Sequence, residues 1–219
     1  MKPSIIIVTD IHGQTLEISN FYKLLTELGF SVSIISPYHQ KVQLVPSEPL
    51  PSEDSYYQTF LNECGHDEYV KKVNKILLHL SNKAVVISFS AGASAAWRSI
   101  NELPIDKTNN IKHLIAFYPS QIRNHLHLIP KIPVTIIFPK HEPHFSVDNC
   151  INRLMHMDYV VCIKIGLLHG FMNKQSKNYH MTHSNQIFQL LTQTELLENQ
   201  DDFCQSTSKA LMQIINDKI

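Results

Sequence analysis

The residues best suited to chemistry lie where an apolar run ends in Ser88-Phe89-Ser90-Ala91-Gly92. An alanine-rich segment that favours a helix follows directly, so the pattern is typical of a strand, a sharp turn carrying a serine, and a helix. Such a turn raises the Ser90 hydroxyl above a sheet and places the Ala91 N–H beside it. A carbonyl carbon arriving there would meet a nucleophile and a hydrogen-bond donor together. The usual turn has glycine at the place of Ser88, and serine is small enough for the turn to form.

Two later stretches could supply the partners that a serine nucleophile needs. Glu142 follows one predicted strand, and His169 follows the last one. This order of serine, acid and histidine is that of the α/β-hydrolases. A histidine is suited to take the Ser90 proton, and a carboxylate would orient the imidazole and stabilise its charged form. Asp148 is the rival acid, but it lies deeper in a predicted helix, so position favours Glu142.

At these residues the chain resembles the dienelactone hydrolase family. The segment Val8–Gly13 is similar to the family's opening strand and oxyanion turn. Ser88–Gly92 resembles its nucleophile turn, and His169–Phe171 resembles its histidine loop. The resemblance extends over most of the chain, and it implies a compact α/β-hydrolase that cleaves an ester bond without a cofactor.

The resemblance also implies roles for residues around the nucleophile. The Ile11 N–H would be the second oxyanion donor, beside that of Ala91. An acidic side chain should lie near the nucleophile, and Asp10 occupies that place. We expect Asp10 to border the substrate pocket at the carboxyl ends of the strands. The other predicted pocket residues are His12, Phe89 and Phe171.

The chain departs from the family in ways that bear on the substrate. The founding enzymes use cysteine where Ser90 stands, and their acid is usually aspartate where Glu142 stands. They also hold a substrate carboxylate with arginines, but this chain has no arginine between residues 37 and 87. Asn173 stands four residues after His169, where the family has the second arginine. Because the bidentate carboxylate clamp is missing, we expect a neutral ester or thioester rather than a dienelactone.

Six short apolar segments must position these residues. They are runs rather than alternations, which is typical of parallel strands covered on both faces. They are Ser4–Thr9, Ser31–Ser36, Ala84–Ser88, His113–Phe117, Val134–Phe138 and Tyr159–Ile165. Helical patterns between them predict one α/β domain over residues 1–219, with a doubly wound, mostly parallel sheet of about six strands. We expect Ser31–Ser36 at one edge and Tyr159–Ile165 at the other.

The helical patterns are of unequal strength. One stripe from Ile18 ends before Gly29, which is suited to follow a helix end, and a second runs from Val70 to Leu80. Further helices are predicted over Ala91–Ile100, Val147–Met155, Tyr179 to about Leu197, and Phe203–Ile215. The connection from Pro37 to about Gly65 carries three further prolines and little periodicity. A connection of this length is predicted to be either a loop that covers the substrate or an unstructured excursion.

Composition narrows the function classes. Lys and Arg number 19 and Asp and Glu number 19, so no overall charge favours nucleic acid or an anionic membrane. The apolar runs are too short for a membrane span or a signal peptide. Four dispersed cysteines without a CxxC pattern predict reduced thiols and a cytoplasmic protein. The predicted partner is a small ester substrate, and the sequence does not predict an oligomeric state.

Two other functions compete with ester hydrolysis. The thirteen histidines include His141-x-x-His144 and His12, a spacing that could bind a metal and support a metal-dependent hydrolase. The chain has no HExxH motif or Cys/His cluster, so histidines around a pocket rim are the favoured interpretation and no metal is predicted. The second rival is a non-catalytic hydrolase-fold protein that binds a small molecule or a partner. It is suggested by Ser88 in place of the usual glycine and by Glu142 in place of the usual aspartate.

Overall fold

One sheet of six parallel strands organises the computed structural model, which describes residues 2–38, 52–193 and 208–213. The strands are β1 (Ser4–Val8), β2 (Val32–Ile35), β3 (Ala84–Phe89), β4 (Ile111–Phe117), β5 (Val134–Phe138) and β6 (Val160–Lys164). Their order is β2-β1-β3-β4-β5-β6, and every neighbouring pair is parallel. The predicted α/β sheet and its two edge strands are confirmed, with strand ends within two residues of the predicted ones.

Helices cover both faces of this sheet. They are α1 (Leu16–Glu27), α2 (Glu53–Glu63), α3 (Gly65–Leu78), α4 (Ser90–Glu102), α5 (Ile105–Thr108), α6 (Val147–Leu154) and α7 (Met181–Leu191). A 3₁₀ helix spans Ser120–Asn124. Apolar side chains of α1 and α7 pack on one face of the sheet, and those of α3, α4 and α6 pack on the other. In the described ranges, no helix combines the length and the apolar character that crossing a bilayer requires.

Burial follows from this double cover. All six residues of β3 are buried, because the strand lies inside the sheet and helices pack above and below it. In α1 the buried stripe is Ile18, Phe21 and Leu25, and the Thr15 side chain caps the helix by accepting a hydrogen bond from the Ile18 N–H. Gly29 follows the helix end with a φ of +83°, a conformation that favours glycine.

The connection after β2 is helical in part, whereas the sequence predicted either a loop that covers the substrate or an unstructured excursion. Residues 53–63 form α2, and α3 begins at Gly65, so that part of the prediction was wrong; residues 39–51 lie outside the described residues. The helix was hard to recognise because it buries only Tyr56 and Phe60, while Ser52 caps it by accepting from the Ser55 N–H.

The two predicted helices at the end of the chain are described in part. The first appears as α7, and residues 194–207 lie outside the described residues, among them the end of that prediction and Cys204. Of the second, predicted over Phe203–Ile215, residues 208–213 are helical and the remainder lies outside the described residues.

Candidate active site

Ser90 lies at a sharp turn between a fully buried strand and the helix that follows it. It is the first residue of α4, directly after β3, and its φ is +49°, in the left-handed region that a serine rarely adopts. Such strain persists only where the surrounding structure enforces it. Ser88 fits the buried strand because its hydroxyl donates to the Ile115 carbonyl at 3.0 Å. The serine that replaces the usual glycine therefore has its polar group satisfied.

Gly92 sets the distance between this turn and the end of β1. A Cβ atom at Gly92 would lie 2.1 Å from the Thr9 carbonyl oxygen and 2.9 Å from that of Val8. Real Cβ atoms essentially never approach other heavy atoms so closely. The first turn of α4 can therefore pack directly on the β1 backbone only with glycine here, and this packing places Ser90 beside the loop that follows β1.

The loops after β5 and β6 bring Glu142 and His169 to Ser90. The Ser90 Oγ lies 2.9 Å from His169 Nε2, and His169 Nδ1 lies 2.6 Å from Glu142 Oε1. Because the Nδ1–H donates to the carboxylate, Nε2 is left to accept the Ser90 proton. The Glu142 side chain is 5% exposed and that of His169 is 31% exposed, so the acid is buried behind an accessible base.

Asp148, the rival acid, does not approach the imidazole. It lies in α6, where its carboxylate pairs with Lys164 at 2.6 Å, and its side chain is 68% exposed. The structure thus brings together Ser90, Glu142 and His169, and it leaves Asp148 in a surface ion pair.

Ser120 is a member of this cluster that sequence reasoning missed. Its Oγ lies 3.2 Å from Glu142 Oε1 and 3.1 Å from His169 Nδ1. Ser120 follows β4 and begins the 3₁₀ helix. The only signal in the sequence is a serine shortly after a predicted strand, which many loop serines share.

The two residues expected to supply the oxyanion donors both border the cavity. Ile11 and Ala91 line it, and the Ala91 N–H lies in the first turn of α4, where a helix offers no acceptor of its own. The Ile11 carbonyl accepts from the Tyr38 hydroxyl at 2.6 Å, which fixes the loop after β1. Burial raises the pKa of Tyr38 above its ordinary value, so the phenol remains a donor at neutral pH.

Asp10 is buried within this loop, and amide groups hold its carboxylate. One oxygen accepts from the His12 N–H at 2.9 Å, and the other accepts from the Asn173 side-chain amide at 2.5 Å. Asn173 stands where an arginine was noted as missing, so the carboxylate of Asp10 has a neutral amide as its partner. Both side chains are at most 8% exposed.

The cavity around Ser90 has a volume of about 640 Å³, and its wall combines apolar surface with charged and polar groups. Asp10 and His12 line it as predicted, and α2 contributes Glu53, Asp54 and Tyr57. The loops after β4, β5 and β6 supply most of the rest, including Arg123, His141, His144 and Lys177. Burial lowers the pKa of a further wall residue, His66, whose Nε2 lies 3.2 Å from the Tyr57 hydroxyl.

Phe89 and Phe171 do not line this cavity, contrary to their prediction as pocket residues. They are 2% and 0% exposed and belong to the core on the face covered by α1 and α7. The Phe89 ring stacks on that of Phe117 at 5.1 Å, and the Phe171 ring meets that of Tyr118 edge-on at 5.2 Å. Their side chains lie in the core next to the turns that carry Ser90 and His169.

The histidines of the cavity wall do not converge. Within residues 2–38, 52–193 and 208–213, no three His, Cys, Asp or Glu side chains are grouped so that they could hold a metal ion. His141 and His144 line the cavity separately from the Ser90 hydrogen-bond chain. The described geometry thus offers a serine, a base, an acid and two N–H donors, a set suited to acyl transfer.

Comparison with known proteins gives one family and one common fold. Residues 1–198 match the sequence pattern of the dienelactone hydrolase family. The uncharacterized protein YczH of Bacillus subtilis (strain 168) is 26% identical over 187 residues, which cover 80% of this chain and 83% of YczH.

Two crystal structures illustrate the shared fold. One is a Klebsiella pneumoniae protein assigned as a dienelactone hydrolase, with a TM-score of 0.61, 14% identity, and coverage of 87% of this chain and 85% of that one. The other is a dienelactone hydrolase from Anabaena variabilis, with a TM-score of 0.58, 11% identity, and coverage of 89% and 86%. At such identities the likeness shows the fold alone.

Proposed function

The chain belongs to the dienelactone hydrolase family, and we propose that it hydrolyses carboxylic esters, or thioesters, through an acyl-enzyme on Ser90. One observation carries this proposal: the hydrogen-bond chain from Ser90 through His169 to Glu142 opens into a cavity beside two N–H groups. Family membership supports hydrolase chemistry in general. We propose in addition that Ser90 is the nucleophile, that the mechanism passes through an acyl-enzyme, and that the bond cleaved is an ester.

In the first half-reaction, His169 Nε2 takes the proton of Ser90 as its oxygen attacks the ester carbonyl carbon. The carbonyl π electrons move to the oxygen, and the Ile11 and Ala91 N–H groups stabilise the resulting oxyanion. Glu142 stabilises the imidazolium without itself taking the proton. The intermediate collapses as the imidazolium gives its proton to the leaving alcohol, which leaves an acyl group on Ser90.

In the second half-reaction, a water molecule replaces the alcohol. His169 takes one of its protons, and the hydroxide attacks the acyl carbon through a second oxyanion in the same position. Collapse releases the carboxylic acid and returns the proton from the imidazolium to Ser90 Oγ. The chemistry is complete with these side chains, so we propose no cofactor.

We propose a neutral acyl group. The place where the founding enzymes have an arginine holds Asn173, and its amide is already bound to Asp10. Carboxylates outnumber cations in the cavity wall, four to two, and this excess of negative charge would disfavour an anionic substrate; the carboxylates are Asp10, Glu53, Asp54 and Glu142, and the cations are Arg123 and Lys177. The comparison that tests this is p-nitrophenyl butyrate against the similarly sized p-nitrophenyl hydrogen succinate. We expect a higher kcat/KM for the neutral ester, and a preference for the anionic ester would contradict the proposal.

The mechanism is tested by hydrolysis of p-nitrophenyl acetate and butyrate between pH 6 and 9. We expect the wild type to turn over, and Ser90→Ala and His169→Ala each to lower kcat by about 10⁴-fold or more. Lys131→Ala, a change on the surface, is the control. A fluorophosphonate should label the wild type stoichiometrically and Ser90→Ala not at all.

Each rival function predicts a different result. A metal-dependent hydrolase would lose activity on chelation and keep it in Ser90→Ala. A binding protein on a hydrolase fold would show neither turnover nor fluorophosphonate labelling of the wild type. Either result would overturn the acyl-enzyme mechanism.

A further inference from the structure

The hydroxyl of Ser120 touches both members of the pair formed by the acid and the base. Its Oγ is 3.2 Å from Glu142 Oε1 and 3.1 Å from His169 Nδ1, and those two atoms are 2.6 Å apart. Three polar atoms thus form a triangle on the side of the imidazole away from Ser90. The mechanism proposed above makes no use of this third member.

The backbone holds Ser120 in place. The preceding turn contains Tyr118 with a φ of +41°, and the Tyr118 ring lies 4.8 Å from the imidazole of His169. The Ser120 carbonyl accepts from the Arg123 guanidinium at 2.7 Å, and the next N–H, that of Gln121, donates to Ser94 Oγ in α4 at 3.1 Å. These contacts tie the residue to the helix that carries the nucleophile.

The protons of the triangle fix the direction of the Ser120 hydroxyl dipole. Ionised Glu142 only accepts, and Nδ1–H only donates, so the single hydroxyl proton is directed to the carboxylate. The hydroxyl oxygen, with its partial negative charge, is then the end nearer to Nδ1. This dipole favours positive charge on the imidazole, the state that His169 reaches when it holds the Ser90 proton.

We propose that Ser120 is a positioning residue that fixes Glu142 against His169 and stabilises the imidazolium formed during catalysis. This inference rests on the proposed function of the Ser90 site and adds a fourth side chain to it. No bond to substrate is assigned to Ser120, which acts through its two neighbours.

The test compares Ser120→Ala with Ser120→Thr in p-nitrophenyl acetate hydrolysis. Ser120→Ala removes a hydrogen bond to a charged group, and we expect kcat to fall roughly 10- to 100-fold with KM within about twofold. The acidic limb of its pH–rate profile should move to lower pH, because the imidazole loses a group that favours its charged form. Ser120→Thr keeps the hydroxyl and should restore both the rate and the position of the limb.

Ser99→Ala is the matched control for a lost serine hydroxyl. Ser99 is buried within α4, where its hydroxyl donates to the Val70 carbonyl at 3.2 Å, and it does not touch the triangle. Ser99→Ala should lower the melting temperature of the protein and leave the pH–rate profile unchanged. Ser120→Ala with wild-type kcat and an unmoved limb would overturn the positioning role while the acyl-enzyme mechanism stands. A wild type that neither turns over nor reacts with a fluorophosphonate would overturn both.

Discussion

Replacing Gly92 by alanine should lower catalytic efficiency by more than its loss of stability can explain, because it moves the nucleophile turn. The new Cβ would lie 2.1 Å from the Thr9 carbonyl oxygen, and contacts below 3.0 Å essentially do not occur. The nearest atoms include two backbone carbonyl oxygens of the strand end, which cannot rotate away as a side chain could. The start of α4 must therefore move away from β1 by about 1 Å, the difference between these two distances.

The size of the effect follows from that displacement. Moving Ser90 by about 1 Å relative to the Ile11 N–H should lower kcat/KM by about 100-fold, since the reacting groups lose their alignment. Overpacking costs about 1–3 kcal/mol, while alanine gains about 1 kcal/mol over glycine within a helix. With a rigid backbone as the obstacle we take the upper value, and the free energy of unfolding should fall by about 2 kcal/mol.

The assay pairs urea denaturation with p-nitrophenyl acetate hydrolysis at 25 °C. Gly29→Ala is the control, because it has a φ of +83° and nothing within 4 Å of its new Cβ. Its left-handed conformation should cost about 1–2 kcal/mol of stability, a loss similar to that of Gly92→Ala. The control should keep wild-type kcat/KM, since Gly29 lies at the end of α1 and away from the cavity. Gly92→Ala with wild-type activity would refute the reasoning that this close approach aligns Ser90.

Three further changes test other parts of the structure. Glu142→Gln should lower kcat by about 10³-fold or more, because the amide no longer stabilises the imidazolium. Asp148→Asn should leave kcat unchanged and lower the free energy of unfolding by at most about 1 kcal/mol. Equal losses of kcat in the two variants would contradict the assignment of Glu142 as the acid. Burial lowers the pKa of His113 to about 3, and an unfolded histidine titrates near 6.5. Between those pH values the unfolded chain binds one more proton than the folded chain, so the free energy of unfolding falls by up to about 1.4 kcal/mol for each pH unit that the pH is lowered. His113→Gln should reduce this dependence, measured by urea denaturation at pH 7 and pH 5. An unchanged difference between the two pH values would exclude His113 as its source. Tyr69→Phe removes the hydroxyl that donates to the buried Thr9 carbonyl at 2.7 Å and should cost about 1–3 kcal/mol in the same assay, and a loss near zero would mean that this carbonyl finds another donor.

The sheet could be predicted because its strands are continuous apolar runs and its topology follows from alternation with helices. A parallel strand buried on both faces, such as Ala84–Phe89, is an almost continuous apolar run in which Ser88 is the one polar residue. The proximity of Ser90, Glu142 and His169 followed from the same fact. Each comes directly after a strand or in the loop beyond it, and parallel strands bring their carboxyl ends to one edge of the sheet.

The helix α2 could not be predicted because its pattern is weak. Only Tyr56 and Phe60 are buried, and the prolines that precede it indicate an irregular chain. Phe89 and Phe171 show a different limit. Phe89 precedes Ser90 and Phe171 follows His169 by two residues, but nearness in sequence does not fix where a side chain points, and both rings lie in the core.

Ser120 shows a third limit of sequence reasoning. Its contacts depend on the turn through Tyr118 and on distances near 3 Å between the loops after β4, β5 and β6. No spacing within the chain encodes such a meeting of three loops. The exchange of arginine for Asn173 was visible in the sequence, but its amide bond to Asp10 was not.

The nucleophile and much of the cavity wall come from different parts of the fold. Ser90 is fixed by a buried strand and by a helix that tolerates no side chain at Gly92. The wall comes largely from α2 and the loops after β4, β5 and β6, and apart from Ser120, Glu142 and His169 these segments are open to exchange at lower cost. Mutational libraries confined to these connections should therefore yield variants with altered acyl preference at a far higher frequency than libraries in β3 or α4. In natural descendants of this chain, the range of substrates should change while the type of bond that is cleaved stays the same.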